Sequence, residues 1–534
     1  RTLDASGTKP AGMVRVPGAQ TPTGRVDDFF IDRTEVTNRQ FKEFVAADGY
    51  ETREFWTEPF ELDGRSIPWD EAMEQFVDQT GRPGPSTWQA GTYADGDADH
   101  PVTGVSWYEA AAYAAFAGRS LPTSVHWGLA RGEQTPIISF YQLGGFAVYA
   151  PFSNFGADGT VPAGSLPGIT AYGAVDMAGN AREWNANRSP FGRIVRGGAW
   201  GDNTYMFGEP SQAPPFDRSP KNGFRCARYS EGDEVAAASQ LVTFSEGPDF
   251  YAMEPVADEI FELYRERFLY DEAPLNANVE RRSEEHPDYV YERVTFDAAY
   301  RGERVIGHLF LPRNASPPYQ TVVYVPGSAA LLHPSSEDMG QYYEYPVFLS
   351  FLVKNGRAVF FPVYAGTFER GRADLPQLVA GGQQKTRLHS GFLTDVVRDF
   401  SRSVDYLESR DDIDRDRLAY YGMSWGGWLG AIIPAVETRV ATAIVAFGGL
   451  IDAGRPEVHP INYVGRVSMP VLMLNGRYDS NFLLDTSIQP MFELLGTPDE
   501  QKELKLFESD HIIPKNDLIR ETLDWLDQYL GPVD

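Results

Sequence analysis

Hydrophobic and polar positions follow two different patterns along the chain, and the change falls after residue 230. Up to that point, short apolar runs are separated by long stretches rich in Gly, Pro, Trp and Asp. From Tyr291 onward, apolar strand patterns alternate with helical ones, which is typical of a mainly parallel sheet. We therefore predict two domains, residues 1–230 and 291–534, joined by a connector over residues 231–290 that contains one helix.

The first domain is predicted to contain little regular structure. A strand is expected over residues 12–17, and helices over residues 38–47 and within residues 100–118. Ser106 and Glu109 form an S-x-x-E capping box for the second of these helices, and Gly118 ends it.

The second domain is predicted to alternate strands and helices to the end of the chain. Predicted strands span residues 291–296, 305–311, 321–325, 358–361, 418–421, 442–447, 470–474 and 504–507, and predicted helices lie around residues 345–355, 392–407, 428–436 and 517–529.

The strand at 418–421 runs into a G-x-S-x-G motif with Ser424 at its centre. A serine on so tight a strand-to-helix turn has a strained backbone, and its hydroxyl is exposed at the end of a sheet. Side chains at Gly422 and Gly426 would collide where strand and helix pass closest. The motif and its context predict a nucleophilic serine hydrolase with the α/β-hydrolase order of elements.

The acid and base of a catalytic triad should follow the serine in the order acid, then histidine. His511 comes after the last predicted strand and is the expected base, whereas His459 precedes the strand that should carry the acid. Asp479 lies in the loop after the strand 470–474 and is the expected acid; Asp485 is its competitor. Asp510 is adjacent to the histidine and poorly placed to reach its imidazole.

The oxyanion of the tetrahedral intermediate needs preorganised donors. One should be the amide of Trp425, and the second the amide of Ser328 or Ala329 after the strand 321–325. Tyr364 is a candidate pocket residue, as a hydroxyl donor or as a packing side chain. His459 is a second candidate, in a loop over the site. No cofactor is required for this chemistry.

The second domain resembles the dienelactone-hydrolase, acetyl-xylan-esterase and prolyl-oligopeptidase branch of the α/β-hydrolases. That resemblance implies an esterase that acts through an acyl-serine on a small-molecule or polymer-linked ester. The runner-up is a prolyl-oligopeptidase-like serine peptidase, which the absence of propeller-blade repeats in the first half disfavours. A third reading, from another class, is a catalytically silent module that senses a ligand.

Six ordered motifs mark the first domain. They are Ile31-Asp-Arg-Thr-Glu-Val-Thr-Asn38, Pro101-Val-Thr-Gly-Val-Ser-Trp107, Arg119-Ser-Leu-Pro-Thr123, Tyr172-Gly-Ala-Val-Asp-Met-Ala-Gly-Asn-Ala-Arg-Glu-Trp184, Arg196-Gly-Gly-Ala-Trp200 and Gly223-Phe-Arg-Cys226. They resemble the formylglycine-generating-enzyme (sulfatase-modifying factor) family, which implies an irregular, C-type-lectin-like α+β fold. The paired cysteines that bind copper in oxidising members are missing, so we expect a non-catalytic domain.

The same resemblance implies a calcium site. The segment matching Asp176, Gly179, Ala181 and Glu183 would supply carboxylate and carbonyl oxygens, which suit this cation. A second site would fall near Asn154, Phe155 and Asp158, where the spacing departs from the family pattern. The alternative is that these are ordinary turn residues.

Composition narrows the range of partners. The net charge of −28 argues against nucleic acid and anionic membrane surfaces, and the single cysteine rules out an internal disulfide framework. No apolar run reaches the roughly 18 residues that span a bilayer, so no membrane insertion by this segment is expected.

The first residue and the order of the domains lead to an expectation about the segment upstream. The chain begins at Arg1, which suggests a processed or trimmed product. The whole arrangement resembles the C-terminal part of bacterial proteins that join a kinase, a formylglycine-enzyme-like domain and a hydrolase. A tether to an upstream kinase or membrane segment is expected on that resemblance, and the compartment is extracytoplasmic or, alternatively, cytoplasmic.

Overall fold

The structure is a computed structural model that divides the chain into two compact units, Arg1–Ser245 and Glu246–Asp534. It describes residues 9–21, 24–62, 64–132, 152–189, 192–202, 211–229, 248–331, 333–372, 384–479, 481–509 and 511–533.

The first unit is an α+β unit with short elements. Its strands are β1 Met13–Val16, β2 Ala19–Thr21, β3 Gly24–Val26, β4 Phe29–Asp32, β5 Glu61–Leu62, β6 Arg65–Ser66, β7 Arg182–Ser189, β8 Gly192–Arg196, β9 Ser211–Ala213, β10 Asn222–Gly223 and β11 Ala227–Tyr229, and its helices are α1 Asn38–Ala46, α2 Trp69–Met73, α3 Trp107–Phe116 and α4 Ser124–Arg131. Among the described residues, the strands form the sheets β1-β4-β11 and β10-β7-β8-β9 and the hairpins β2-β3 and β5-β6.

Side-chain packing rather than regular structure organises this unit. Helix α3 begins as predicted, because Ser106 and Glu109 form the reciprocal capping box. Around it lies a core dominated by aromatic side chains, among them Phe41, Phe44 and Trp88. Large rings bury much apolar surface per residue, which lets short elements share one core.

The second unit is built on a long sheet. Its strands are β12 Asn278–Ser283, β13 Tyr289–Asp297, β14 Arg304–Pro312, β15 Tyr319–Val325, β16 Ala358–Val363, β17 Ile413–Met423, β18 Thr442–Ala446, β19 Val471–Gly476 and β20 Lys502–Phe507. Within the described part of the chain their order is β12-β13-β14-β16-β15-β17-β18-β19-β20. Pairings from β16 to β20 are parallel and those from β12 to β16 antiparallel. This is the expected α/β-hydrolase architecture.

Helices flank the sheet. They are α5 Asp258–Arg265, α6 Ser350–Lys354, α7 Arg387–Glu408, α8 Trp425–Leu429, α9 Ile433–Val436, α10 Ile461–Val464, α11 Gln489–Leu494 and α12 Lys515–Leu530. In α7, the predicted apolar face with Phe392, Val396 and Phe400 is fully buried. No helix in the described ranges is long and apolar enough to cross a membrane.

Two elements differ from the sequence expectation. The single helix expected over 428–436 is two short helices, α8 and α9, because Pro434 lacks the amide hydrogen that a continuous helix needs there. Strand β12 was not predicted, since its side chains are nearly all exposed at the sheet edge and show no apolar alternation. The described part of the predicted connector, from residue 248, falls in the second unit.

Candidate active site

Ser424 lies on the tight turn between β17 and α8. Its φ of 53° and ψ of −104° are the strained conformation expected there, and its amide donates to the Ala446 carbonyl at 2.9 Å. The flanking glycines are needed sterically. A Cβ on Gly422 would lie 2.3 Å from the Gly426 oxygen, and one on Gly426 would lie 2.1 Å from the Val325 oxygen. The elbow therefore presents the hydroxyl at the carboxyl end of the parallel strands.

His511 and Asp479 lie in line with that hydroxyl. His511 Nε2 is 2.9 Å from Ser424 Oγ, and His511 Nδ1 is 2.7 Å from Asp479 Oδ2. Both partners are buried. The structure thus brings together the serine, acid and histidine that the sequence singled out, at hydrogen-bond distances suited to proton transfer.

The acid is itself held in place from the other side. Asp479 Oδ1 accepts the amides of Asn481 at 2.8 Å and Phe482 at 3.1 Å, which turns Oδ2 toward the imidazole of His511. The competitor Asp485 is exposed on the following helical turn. Asp479 is therefore the carboxylate that faces the imidazole.

The predicted oxyanion donors come from two segments that touch. The amide of Gly426 donates to the Pro326 carbonyl at 3.0 Å, which joins the elbow to the chain leaving β15. Among the described residues, the backbone amides of Trp425, Ser328 and Ala329 have no hydrogen-bond acceptor. Free amides at these positions are what a developing oxyanion requires.

The two pocket candidates have other roles. Tyr364 is fully buried and donates its hydroxyl to the Tyr324 carbonyl at 2.9 Å, so it is a packing residue. His459 is largely buried, with Nε2 3.0 Å from Asp452 Oδ1. Burial lowers the pKa of His459 despite that neighbouring carboxylate. Neither side chain contacts the triad in the described contacts. Of the two alternatives for Tyr364, the structure shows the packing side chain, whereas His459 as a pocket residue stays a prediction.

Glu344 is a buried charged residue near the site that the sequence reasoning missed. It accepts hydrogen bonds from the hydroxyls of Tyr324 at 3.0 Å, Tyr342 at 3.3 Å and Tyr343 at 3.0 Å, and from the amide of Gly327 at 3.2 Å. Burial raises the pKa of Glu344 to about 7, against these donors, which lower it. Its only sequence signal is a lone carboxylate in a run of tyrosines.

One of the predicted calcium ligands of the first unit, Glu183, already has other partners. Glu183 is buried in an ion pair with Arg225, at 2.6 and 2.7 Å, and also accepts from Trp127 Nε1 at 2.7 Å. Its charge is therefore already neutralised. Asp176 lies near Glu35 instead, and one oxygen of each lacks a donor in the described residues. Burial raises the pKa of both carboxyl groups. Calcium binding by this segment stays a prediction.

The other predicted ligands serve the local backbone. Gly179 pairs with Asn154 in an isolated bridge, the Asn180 amide donates to the Asn154 carbonyl, and Ala181 is buried. Asp158 is exposed. Within the described ranges, no group of three or more His, Cys, Asp or Glu side chains is arranged to hold a metal ion.

Comparison with known families accounts for both units. Residues 6–230 match the sulfatase-modifying factor enzyme 1-like domain, and residues 350–512 match the dienelactone hydrolase family. The formylglycine-generating enzyme of Thermomonospora curvata is 31% identical over 287 residues, covering 40% of this chain and 93% of that protein.

Other relatives are matched over a smaller part of their length. A hercynine oxygenase of Mycolicibacterium thermoresistibile is 29% identical, over 44% of this chain and 48% of its own. A serine/threonine-protein kinase of Chlamydia caviae is 29% identical, over 38% of this chain and 33% of its own. Among solved structures, acetyl xylan esterase from Paenibacillus sp. R4 is 18% identical, covers 53% of this chain and 98% of its own, and has a TM-score of 0.40.

The two family matches agree with the motifs of the first unit and the architecture of the second. Through residues 6–230 the chain belongs to the formylglycine-generating-enzyme (sulfatase-modifying factor) family, and its second unit is a hydrolase domain of the dienelactone hydrolase type.

Proposed function

We propose that the second unit is a serine esterase that cleaves carboxylic esters of small molecules or polymers through an acyl-serine. The observation that carries the proposal is the unbroken hydrogen-bond chain from Ser424 Oγ through His511 to Asp479. A serine hydroxyl is a weak nucleophile until a neighbouring base takes its proton, and this arrangement supplies that base.

The residues would act in sequence. Ser424 Oγ attacks the ester carbonyl carbon while His511 Nε2 takes its proton, and Asp479 stabilises the imidazolium that forms. The amides of Trp425 and of Ser328 or Ala329 bind the oxyanion. His511 then gives the proton to the leaving alcohol, and a water molecule, deprotonated by the same imidazole, hydrolyses the acyl-serine. Neither a metal nor a cofactor takes part in these steps.

A second activity, peptide hydrolysis, would use the same triad. We favour esters because the first unit is of the sulfatase-modifying factor type rather than a propeller like that of prolyl oligopeptidases, and because residues 350–512 match dienelactone hydrolases. We further propose that the first unit is non-catalytic. Its one cysteine, Cys226, is buried, and burial raises the pKa of its thiol, so no reactive cysteine pair is present in the chain.

The test uses the full chain and a Ser424→Ala variant on two substrate panels, p-nitrophenyl esters and aminoacyl-nitroanilides. We expect ester turnover by the wild type and a loss of at least about 1,000-fold in the variant. Turnover of the nitroanilides alone would contradict the ester assignment. Failure of a fluorophosphonate to label Ser424 would instead support a silent ligand-sensing module.

A further inference from the structure

The loop after β15, which should supply the second oxyanion donor, is hydrogen-bonded to the buried carboxyl group of Glu344. Strand β15 ends at Val325, and Gly327 lies in the turn that follows. Glu344 directly precedes the helical turn Tyr345–Leu349, and its side chain reaches Gly327. Its side chain is fully buried, although a carboxylate is rarely buried without a partner.

Neutral donors, not a cation, surround this carboxylate. Tyrosine hydroxyls of β15 and of its own segment donate to it. Burial and the nearby Glu344 raise the pKa of Tyr421 in β17. No Lys, Arg or His within the described ranges forms an ion pair with Glu344. Glu344 therefore accepts four hydrogen bonds from neutral donors, and each bond fixes the position of the donor group. One of these donors is the Gly327 amide.

That bond fixes the orientation of one peptide plane at the start of the oxyanion loop. Gly327 N donates to Glu344 Oε1 at 3.2 Å, and the preceding carbonyl, of Pro326, accepts the Gly426 amide at 3.0 Å. The peptide group between Pro326 and Gly327 is thus held at both ends, its carbonyl by the Gly426 amide and its N–H by Glu344. The next amides, of Ser328 and Ala329, have no acceptor among the residues that the structure describes.

We propose that Glu344 is a positioning residue that holds the Gly327 peptide so that the amide of Ser328 or Ala329 points at the oxyanion. The inference rests on the proposed function of Ser424 and assigns the residue that aims its second donor. Glu344 does not touch substrate; it acts through the loop. A carboxyl oxygen that accepts the Gly327 amide limits the rotation of that peptide group, which suits this role.

Three variants of the full chain separate positioning from general stability. Glu344→Met removes the acceptor at similar volume, Glu344→Asp keeps the carboxyl group but withdraws it from Gly327, and Glu344→Gln keeps an oxygen that can accept the Gly327 amide. Glu369→Gln is the matched control. Glu369 accepts hydrogen bonds from the amide and the hydroxyl of Ser336, both at 2.8 Å, in the segment between β15 and β16 that also contains Gly327.

The readouts are the rate of fluorophosphonate labelling of Ser424, and kcat and KM for p-nitrophenyl acetate. Loss of one oxyanion donor lowers kcat by about 100- to 1,000-fold. We expect about a 100-fold loss in kcat and labelling rate for Glu344→Met, and about 10-fold for Glu344→Asp, with KM changed less than about threefold. Glu344→Gln should stay within about fivefold of the wild type, and Glu369→Gln should match it.

Each outcome decides between the two proposals. Wild-type rates in Glu344→Asp and Glu344→Met, or a rise in KM with kcat unchanged, would overturn the positioning role. If Glu344→Met does not fold, the aspartate variant alone decides. A wild type that is labelled but hydrolyses no ester removes only the ester assignment, because the labelling rates still test Glu344. A wild type that is not labelled overturns both proposals.

Discussion

At the scale of single residues, the geometry of the site depends on a carboxylate, Asp479, whose two oxygens both accept hydrogen bonds. Asp479 presents one oxygen to His511 because two backbone amides, of Asn481 and Phe482, bind the other. Orientation is therefore built into the chain before substrate arrives, and it costs nothing during the reaction.

Asp479→Asn should expose this dependence. The amide oxygen would keep the two backbone donors and turn the amide NH2 toward His511 Nδ1, which stabilises the wrong tautomer of the imidazole. We expect kcat for p-nitrophenyl acetate to fall by about 1,000- to 10,000-fold with little change in melting temperature. Asp485→Asn is the control and should keep wild-type kcat; an equal loss in both variants would argue against Asp479 as the acid.

At the scale of elements, helix α8 is pressed against the ends of β15 and β17. Backbone atoms occupy the space where a side chain at Gly426 would lie, including the Val325 oxygen at 2.1 Å from a Cβ placed there. Strand and helix cannot move apart without loss of the bond from the Gly426 amide to Pro326. The strain at Ser424 is therefore sustained by the packing around it.

Gly426→Ala is expected to destabilise the second unit by about 1–3 kcal/mol, because backbone must shift to admit the methyl group. The matched control is Gly391→Ala in α7, where nothing lies within 4 Å of a Cβ. That change should stabilise by about 0.5–1 kcal/mol through helix propensity. Denaturant unfolding measures both; a Gly426→Ala protein as stable as the wild type would contradict the steric argument.

At the scale of the whole molecule, each unit has a core of its own. The first is centred on aromatic packing and on the buried Arg225–Glu183 pair, and the second on the large sheet. Arg225 also donates to the backbone carbonyls of Val175 and Asp176, so it joins several segments of a unit poor in regular structure. Separate cores imply separate unfolding transitions.

Arg225→Met should therefore lower the unfolding transition of the first unit alone. Removing one partner of a buried ion pair costs about 3–5 kcal/mol, because the remaining charge stays buried. Scanning calorimetry of the full chain should show one transition shifted down, while fluorophosphonate labelling of Ser424 stays at the wild-type rate. Arg39→Gln, at an exposed pair with Asp99, is the control and should shift neither transition. Loss of labelling in Arg225→Met would show that the units do not unfold independently.

What could be predicted from the sequence follows from how local each signal is. The elbow around Ser424 is a local motif, and the capping box at Ser106 needs only four consecutive residues, so both were recognised. Glu344 was not, because two of its four donors, the Tyr324 hydroxyl and the Gly327 amide, lie 20 and 17 residues away and meet it only in the fold. The ion pair of Glu183 was not foreseen for the same reason, since its partner Arg225 is 42 residues away.

The sequence by itself determined the two-part organisation and singled out Ser424, Asp479 and His511 as candidates, because periodicity and glycine spacing act over a few residues. The tertiary structure alone decided which oxygen of Asp479 faces His511, that Tyr364 packs in the core, and that the buried carboxyl group of Glu344 accepts the Gly327 amide. These are matters of distance between remote segments, and such distances are set only when the sheet brings the ends of its strands together.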